Sequence, residues 1–456
     1  MASRESAVDL PFHLKGNYEP VREELTTFDL PVDGAIPPSL RGLYLRNGPN
    51  RVSGVSPHWF VGDGMVHGVR VENGKAAWYR NRWVRTRPFE DPSAQFVRSD
   101  GTVDRSVAVA NTNVIGHAGR IFALVETSFP TELTPELDTL GICDFDGRLE
   151  TAMTAHPKCC PVTGELHFFG CGFAPPYLTY HRLDAAGELV HSQEIDVPGP
   201  AMVHDFAITR RNVVFMDLPI VFSPELAVQG RFPYRWSDAY GARLGVMPRE
   251  AGAGGPAPVQ WLDIEPCYVF HALNAFDSDD GVVLEVARYT ELWREGPESF
   301  TAATLHRFAI DLAAREVVER ALDDRPIELP RVDDRRTGLE HRYGYALSGA
   351  SSVLDPRCLV KYDLGPRAGA RAAASRTEVH DFGPGFAPGE AAFVPASEAA
   401  GEDEGFVLAF VYDQARNGSD LVILDARAFG GPPVATIRLP QRVPFGFHGN
   451  WIPDAP

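Results

Sequence analysis

Short apolar segments separated by glycine and proline run through this whole sequence and limit the folds it can adopt. The chain contains 42 glycines and 38 prolines, and they are scattered rather than gathered in one linker. The segments between them are β-branched or aromatic and end at turn residues, as strands do. Six such segments begin at Gly119, Gly164, Asn212, Gly281, Gly405 and Ser419. Sustained helical periodicity is scarce, so the pattern predicts an all-β protein made of many short strands.

A strand-and-turn unit recurs along the chain. A turn containing Asp and Gly precedes an apolar strand at Asp144 and again at Asp184. Imperfect repeats of this kind over several hundred residues are typical of a β-propeller, although a β-helix or two packed sandwiches would satisfy the same pattern. We interpret residues 1–456 as a single domain, with surface loops at residues 251–258 and 365–375 that are rich in small residues or in Arg.

Charge and composition exclude several classes of protein. The formal net charge is -18 and no basic run is present, which argues against nucleic acid as a partner because phosphate binding needs clustered Lys and Arg. Hydrophobic residues make up 44% of the chain, enough for a large core. The six cysteines form no CxxC pair, the first ten residues carry several charges, and no apolar stretch approaches the length of a spanning helix. We therefore expect a cytoplasmic protein with reduced thiols.

The 14 histidines fall into groups by their neighbours in the sequence. Five stand among charges or turns, and for these we expect solvated surface imidazoles: His181, His191, His306, His341 and His380.

Four other histidines lie in apolar or Pro/Gly-framed segments: His156, His204, His271 and His448. A buried imidazole usually stays neutral and bonds to one carbonyl, but a shared cation would satisfy all four rings at once. Their long separations do not fit a zinc finger, whose ligands come in close pairs. They fit one ligand from each of several blades, which predicts a metal ion on the axis of a propeller.

Six motif segments are spread along the whole chain: Leu-Tyr-Leu-Arg-Asn-Gly-Pro-Asn from Leu43, Phe-Val-Gly-Asp-Gly-Met-Val-His from Phe60, Ala-Asn-Thr-Asn-Val from Ala110, Ala-His-Pro-Lys from Ala155, His-Asp-Phe-Ala-Ile-Thr from His204 and Phe-His-Gly-Asn-Trp from Phe447. Together they resemble the motifs of the carotenoid cleavage oxygenases, a family of non-haem iron enzymes that cleave alkenes. The resemblance implies a seven-bladed β-propeller, with a metal on the central axis and with loops and short helices forming a cap over it.

The resemblance also implies the site. Fe(II) would be held by His156, His204, His271 and His448, with dioxygen as co-substrate. By the family pattern, three glutamates hydrogen-bond the ligating imidazoles: Glu126 would serve His204, Glu328 would serve His271 and Glu390 would serve His448. Such carboxylates offset the charge of the cation and fix the tautomer of each ring. Physical arguments alone do not select iron over other metals, so that assignment follows from the resemblance.

Residues around the substrate are predicted in the same way. Thr112 matches a position that points toward one open coordination site. Trp59, Phe60 and the aromatic segment from Phe232 to Trp236 are candidate walls or mouth of an apolar tunnel. Relatives that cleave stilbenes or isoeugenol usually carry Lys before the first of the three glutamates, where this chain has Val125. Because Val cannot bind a phenol oxygen, we expect an apolar polyene, a carotenoid or apocarotenoid, which would be cleaved to aldehyde or ketone fragments.

Several alternatives stay open at this point. The substrate could be a stilbene or another phenylpropanoid alkene, or the chain could be a propeller that binds a ligand without redox chemistry. A third alternative is a metal-dependent hydrolase, although such hydrolases generally hold calcium with carboxylate and Asn ligands. The apolar segment at residues 218–234 predicts either weak peripheral contact with a membrane surface or a lid over the cavity. The sequence does not indicate an oligomeric state.

Overall fold

The chain folds almost entirely into antiparallel β-sheet. The computed structural model describes residues 11–53, 56–250, 256–297, 299–350, 352, 354–365 and 376–454. Short segments bounded by Gly, Pro and Asp become strands because each turn residue ends the ladder after a few alternating side chains. Within the described residues, helix is limited to α1 (Arg87–Glu90), α2 (Pro224–Val228) and four 3₁₀ turns at Phe12–Leu14, Gly16–Tyr18, Asp334–Arg336 and Ala426–Ala428.

The strands of the first half of the chain are β1 (Thr26–Phe28), β2 (Val32–Gly34), β3 (Gly42–Pro49), β4 (Gly64–Glu72), β5 (Lys75–Trp83), β6 (Asn113–His117), β7 (Arg120–Leu124), β8 (Thr131–Leu133), β9 (Thr139–Ile142), β10 (Lys158–Cys159), β11 (Leu166–Cys171), β12 (Leu178–Leu183), β13 (Leu189–Ile195), β14 (Phe206–Ile208), β15 (Asn212–Asp217), β16 (Ile220–Phe222) and β17 (Tyr234–Trp236).

The strands of the second half are β18 (Arg243–Pro248), β19 (Gln260–Asp263), β20 (Tyr268–Asp277), β21 (Gly281–Tyr289), β22 (Ala303–Asp311), β23 (Glu316–Ala321), β24 (Ile327–Arg331), β25 (Tyr343–Gly349), β26 (Pro356–Asp363), β27 (Arg376–Asp381), β28 (Phe386–Pro388), β29 (Ala392–Pro395), β30 (Gly405–Asp413), β31 (Gly418–Asp425), β32 (Ala435–Arg438) and β33 (Gly449–Pro453). All six segments predicted as strands are strands.

Seven sheets form the blades of a β-propeller, as predicted. Five of them use consecutive chain segments: β6 to β9, β10 to β13, β14-β15-β18-β19, β20 to β23 and β24 to β27. The inner strands of neighbouring blades touch, as β14 does with β20 and β20 with β24. An additional two-stranded hairpin, β16 with β17, stands outside the blades.

The remaining two blades close the ring by exchanging the chain termini. The C-terminal strand β33 pairs with β3, in the sheet ordered β1-β5-β4-β3-β33. The N-terminal strand β2 pairs with β32, at the edge of the sheet that also contains β28 to β31. Each terminus is therefore hydrogen-bonded into a blade made mostly from the opposite end of the chain.

The hydrophobic core lies mainly between neighbouring blades. Tyr44 of β3 and Phe410 of β30 are buried, and their ring centroids are 4.9 Å apart in an edge-to-face arrangement. Close approaches on the motif segments require glycine: a Cβ on Gly64 would lie 2.2 Å from the carbonyl oxygen of Ala110. Of the two predicted surface loops, residues 251–255 and 366–375 lie outside the described residues, and Ala257 at the end of the first loop is buried.

Candidate metal centre

Four histidines from four blades converge on the axis. His156 and His204 each precede an inner strand by two residues, His448 directly precedes β33, and His271 lies within β20. One nitrogen of each ring lies within 4.8 Å of a nitrogen of every other ring in the group. Ligands on opposite sides of one cation are about 4.2 Å apart, twice a metal to nitrogen distance of about 2.1 Å. The four rings are therefore close enough to share one ion.

Irregular strand pairing turns two key side chains toward the axis. The register of β20 against β21 shifts between Val269 and Ala272, on either side of His271. The register of β24 against β25 shifts after Glu328, where Leu329 has a φ of 51°. Bulges of this kind occur beside functional sites because they change the direction of a side chain that regular pairing would fix.

Hydrogen bonds between blades hold the histidine segments in place. The carboxylate of Asp205 accepts from the backbone N–H of Ala272 at 2.9 Å, and it lies 2.7 Å from Nζ of Lys158. It thereby joins the segments that carry His204, His271 and His156. The side chain of Asn113 donates to the carbonyl of Ala155 at 2.7 Å, next to His156.

Three glutamates lie against three of the rings, in the pairing that the family pattern implies. Oε2 of Glu328 is 2.5 Å from Nδ1 of His271, and Oε1 of Glu390 is 3.1 Å from Nδ1 of His448. Oε1 of Glu126 is 3.1 Å from Nδ1 of His204 and 3.7 Å from Nε2 of His156. A carboxylate at Nδ1 makes that nitrogen the protonated one and leaves Nε2 as a lone-pair donor.

Burial and neighbouring charge set the protonation of the cluster. Burial, together with the adjacent imidazoles, holds the pKa of His156 well below its ordinary value. Burial also lowers the pKa of His448, in spite of the carboxylate of Glu390. Burial alone would raise the pKa of Glu390, but His448 and Arg331 outweigh it and lower that pKa to about 2. Burial alone would lower the pKa of His271, but the carboxylate of Glu328 outweighs it and raises that pKa. His156 and His448 are thus neutral beside an ionised Glu390, which is the state that a cation requires of its ligands.

Unpaired nitrogens support a cation at this point. Nε2 of His156 and Nε2 of His271 are buried and have no hydrogen-bond partner. A buried polar atom without a partner costs about 1 to 3 kcal/mol, and a metal ion between the rings would remove that cost. Across the described parts of the chain, these four residues are the one cluster of three or more His, Cys, Asp or Glu side chains close enough to hold a metal.

An apolar cavity of about 120 Å³ meets the histidine cluster at His204, His271 and His448. Aromatic and aliphatic side chains make most of its wall. The aromatic lining residues are Tyr18, Trp59, Phe60, Phe270, Tyr289, Phe300, Phe445 and Phe447. The rings pack edge to face, for example Phe60 against Phe447 at 5.4 Å. Such a wall excludes water and suits a hydrocarbon ligand.

The cavity contains four of the five residues that the sequence predicts near a substrate. Trp59, Phe60, Thr112 and Val125 line it. The carbonyl oxygen of Thr112 accepts from the backbone N–H of His448 at 3.2 Å, which fixes Thr112 beside a ring of the cluster. Phe232 is different, because it does not line the cavity: it stacks on His58 at 4.3 Å and packs behind Phe60. Phe232 is therefore not part of this wall, and its place at the mouth of the tunnel stays a prediction.

Sequence reasoning missed other lining residues. Phe270 and Phe447 directly precede His271 and His448, so their position in the motif segments was an available signal. Arg46 lies inside a matching segment but was not recognised as a lining residue. Tyr18 and Phe300 lie in segments without a motif, and only the fold brings them to the cavity.

A second, larger cavity of about 410 Å³ also reaches the cluster, at His156, His271 and His448. Its wall is more polar than that of the first cavity, because apolar side chains are mixed with charged ones: Lys158, Arg331, Asp334, Arg335, Asp205 and Glu390. Arg331 donates from Nη1 to the carbonyl of Gly449 at 3.0 Å and lies 3.5 Å from Oε2 of Glu390. The backbone N–H of Gly449 donates to the same carboxylate oxygen at 2.7 Å.

The expectation of five solvated histidines is wrong for three of them. His181, His341 and His380 are buried, while His191 and His306 are partly buried. His181 lies between Thr151 and Ser192, with ring nitrogens 2.6 and 2.8 Å from the two hydroxyls. Charged neighbours in sequence misled the prediction because alternate residues of a strand face opposite sides, so a charged neighbour does not imply exposure.

The apolar segment at residues 218–234 contains β16, α2 and the start of β17. Val228 at the end of α2 is 89% exposed. Among the described residues, no helix combines the length and the hydrophobicity needed to cross a bilayer.

Known proteins of similar sequence and structure cover nearly the whole chain. The sequence profile of the family described as retinal pigment epithelial membrane protein matches residues 18–453. A carotenoid cleavage oxygenase of Mycobacterium tuberculosis is 39% identical, with 99% of this chain and 100% of that protein covered. A carotenoid 9,10(9',10')-cleavage dioxygenase 1 of Arabidopsis thaliana is 33% identical, with 98% of this chain and 90% of that protein covered.

A solved structure is also similar to this chain over nearly its whole length. The crystal structure of Pseudomonas brassicacearum lignostilbene dioxygenase matches with a TM-score of 0.86 and 31% identity, covering 98% of this chain and 100% of that chain. Fold, motif order and sequence identity agree over the full length. The chain therefore belongs to the carotenoid cleavage oxygenase family of enzymes, within the group described as retinal pigment epithelial membrane protein.

Proposed function

We propose that this chain is an Fe(II)-dependent dioxygenase that cleaves one carbon-carbon double bond of a carotenoid or apocarotenoid. The observation that carries the proposal is the convergence of four histidines, three of them beside carboxylates, at the end of an apolar cavity. In the overall reaction one alkene and one dioxygen give two carbonyl fragments, so both oxygen atoms end in the products and no external reductant is needed.

Iron fits the donor set in charge and in coordination number. His156, His204, His271 and His448 would supply four neutral ligands, which leaves two positions of an octahedral ion open. When bound, iron would supply the redox chemistry that dioxygen needs to react with an alkene, which zinc cannot do. The carboxylates of Glu126, Glu328 and Glu390 would offset the charge of the cation and keep each ring oriented.

The residues of the cavity would bind and position the polyene. Phe60, Phe270 and Phe447 offer flat apolar surfaces next to the cluster, so burial of the polyene would supply binding energy and hold one double bond near the open positions. Thr112 reaches the same space and would limit which side of the cluster a small molecule can approach. Exclusion of water by this wall would protect the reacting carbons from side reactions.

A phenylpropanoid alkene is the second candidate substrate class. The similarity to lignostilbene dioxygenase favours it, since that protein matches the chain over its full length. Val125 argues against it, because an apolar side chain at the cavity wall cannot bind a phenol oxygen. We therefore rank the polyene first.

The test is a turnover measurement on purified protein. Iron content is measured after reconstitution with Fe(II), oxygen consumption is followed with β-apo-8′-carotenal, and products are separated by chromatography. We expect about one iron per chain and two carbonyl products from one polyene. A hydroxystilbene serves as the comparison substrate. Protein that binds iron but consumes no oxygen with any polyene, while it cleaves the stilbene, would overturn the preferred substrate class.

A further inference from the structure

Arg46 is a buried charged side chain that lines the apolar cavity without a partner. It lies on β3 and is 5% exposed. Its Nε has no hydrogen-bond partner, and within the described residues its guanidinium forms neither a hydrogen bond nor an ion pair. By contrast, the buried guanidinium of Arg307 is paired with Glu285, and that of Arg442 donates to the carbonyl of Glu19 at 2.7 Å. Arg46 therefore stands apart from the other buried arginines.

The nearby carboxylate of Glu390 does not explain why the guanidinium of Arg46 is buried. Glu390 is close enough to interact with it electrostatically, but the two form no ion pair. The oxygens of Glu390 are occupied by Nδ1 of His448 and by the N–H of Gly449. Burial lowers the pKa of Arg46, as expected for a cation without a bound anion. An uncompensated buried charge is strongly unfavourable, so we expect an anionic ligand to pair with Arg46.

Space for the guanidinium is built into the neighbouring loop. A Cβ on Gly389 would lie 2.6 Å from Nη1 of Arg46. Gly389 also lines the cavity, so its missing side chain leaves room for the arginine head group at the cavity wall.

A second donor without an acceptor lies in the same cavity. Nε1 of Trp59 is buried and has no hydrogen-bond partner. Tyr18 connects the two donors, because its ring packs against Trp59 at 5.4 Å and it interacts electrostatically with Arg46. The indole of Trp83 behaves differently, since its Nε1 donates to the carbonyl of Asn50 at 2.8 Å. Nε of Arg46 and Nε1 of Trp59 are thus two unsatisfied donors on residues that line one cavity.

We propose that Arg46, assisted by Trp59, binds a terminal carboxylate of the substrate, so that the preferred substrate class is a polyene carboxylic acid. A carboxylate offers oxygens to several N–H groups of the guanidinium and supplies the missing negative charge, whereas an ester or aldehyde accepts a hydrogen bond but leaves the charge unpaired. The hydrocarbon part of the acid would occupy the aromatic part of the cavity. This assignment rests on the proposed function, whose substrate it narrows.

Binding and cleavage are measured with one polyene in three forms: β-apo-8′-carotenoic acid, its methyl ester and the matching aldehyde. Iron-loaded protein is titrated with each compound by tryptophan fluorescence quenching, and products are quantified. We expect the acid to bind at least about tenfold more tightly than the ester. Arg46→Met should reduce this ratio to within about twofold, and Arg46→Lys should retain part of it.

A matched pair of tryptophan variants keeps the test decisive if Arg46→Met does not fold. Trp59→Phe removes the unpaired indole N–H and should lower the acid-to-ester ratio by several-fold. Trp83→Phe removes a donor that is already bonded and should leave the ratio unchanged. Equal affinities for acid and ester in the unaltered protein, or an unchanged ratio in a folded Arg46→Met, would overturn the assignment.

The outcomes separate the two proposals. Cleavage of the aldehyde and ester without any preference for the acid would contradict the carboxylate subsite but not the oxygenase proposal. Preferential binding of the acid with no cleavage of any form would contradict the oxygenase proposal but not the subsite.

Discussion

Two cavities meet at the histidine cluster, and their walls differ in chemistry. The smaller one, of about 120 Å³, is lined by rings such as Phe60, Phe270 and Phe447. The larger one, of about 410 Å³, is lined by charged side chains such as Lys158 and Arg331. Both reach His271 and His448.

The difference separates two tasks. Charged residues on the polar side bind groups that position the cluster: Lys158 pairs with Asp205, and Arg331 lies next to Glu390. On the apolar side, the ring of Phe270 packs against the rings of His204 and His271. Metal retention and substrate binding should therefore respond to different substitutions, although both depend on the same four histidines.

The largest effect should come from removing a residue that both cavities share. His271→Ala leaves three imidazoles and an unpaired Glu328, so we expect loss of bound iron and of turnover. Iron analysis and oxygen consumption measure this. His191→Gln is the matched control, since that ring is partly buried and lies away from the cluster; it should keep iron and activity. Retention of stoichiometric iron by His271→Ala would contradict the shared-ligand assignment.

A substitution on the polar side should act on the metal first. Glu390→Gln keeps the size of the side chain but removes the charge beside His448, so metal affinity should fall by about 10 to 100-fold. Competition with a chelator gives the affinity directly. Glu404→Gln, at a partly exposed carboxylate directly before β30, provides the control. If Glu390→Gln changed only the affinity for the polyene, the division between the two sides would be wrong.

Substitutions that fill one cavity or the other test whether the polyene binds only in the apolar cavity, and their expected effects are smaller. Met202 lines the apolar cavity and Cys159 lines the polar one. Met202→Trp should obstruct the polyene and lower kcat/KM by about tenfold, because small misplacements of a substrate are costly. Cys159→Trp should change kcat/KM by less than about twofold. Equal losses in the two variants would mean that the polyene occupies both cavities.

The smallest effect concerns pH and belongs to the apolar side. His58 packs between Phe60 and Phe232, and burial lowers its pKa to about 4. In the unfolded chain His58 therefore binds a proton near pH 6.5, whereas in the folded chain it does so only near pH 4. The free energy of unfolding should fall as pH drops from about 6.5 toward 4.

Comparison of urea unfolding at pH 7.5 and 5.5 measures the contribution of His58 to this pH dependence. His58 should account for about 1 kcal/mol of the loss in the free energy of unfolding. His58→Asn cannot take up this proton, so its loss between the two pH values should be smaller by that amount. An identical pH dependence in the two proteins would show that His58 takes up its proton in the folded state.

Local patterns were sufficient for the short strands and for singling out the four histidines, whereas the ring of seven sheets followed from the resemblance to a known family. Each of these residues stands in an apolar or Pro/Gly-framed segment next to or within a strand, and strand patterns are local. Positions that depend on bulges were less accessible: no property of the segment around Glu328 indicates that β24 changes register there and turns this side chain inward.

Other failures have a common physical cause. Phe232 was expected at the wall or mouth of the tunnel because it is aromatic, yet it stands one layer behind Phe60 and does not line the cavity. His341 looked solvated beside Glu340, yet it is buried with Nε2 3.0 Å from Glu285. In both cases the deciding contact comes from a distant part of the chain, and sequence neighbours carry no information about it.

The exchange of strands at the ring closure has a consequence for biosynthesis. His448 directly precedes β33, the strand that joins the last residues of the chain to β3. A nascent or prematurely ended polypeptide lacks this strand and the fourth imidazole together. A metal held by all four rings would therefore require a polypeptide whose last strand has paired with β3.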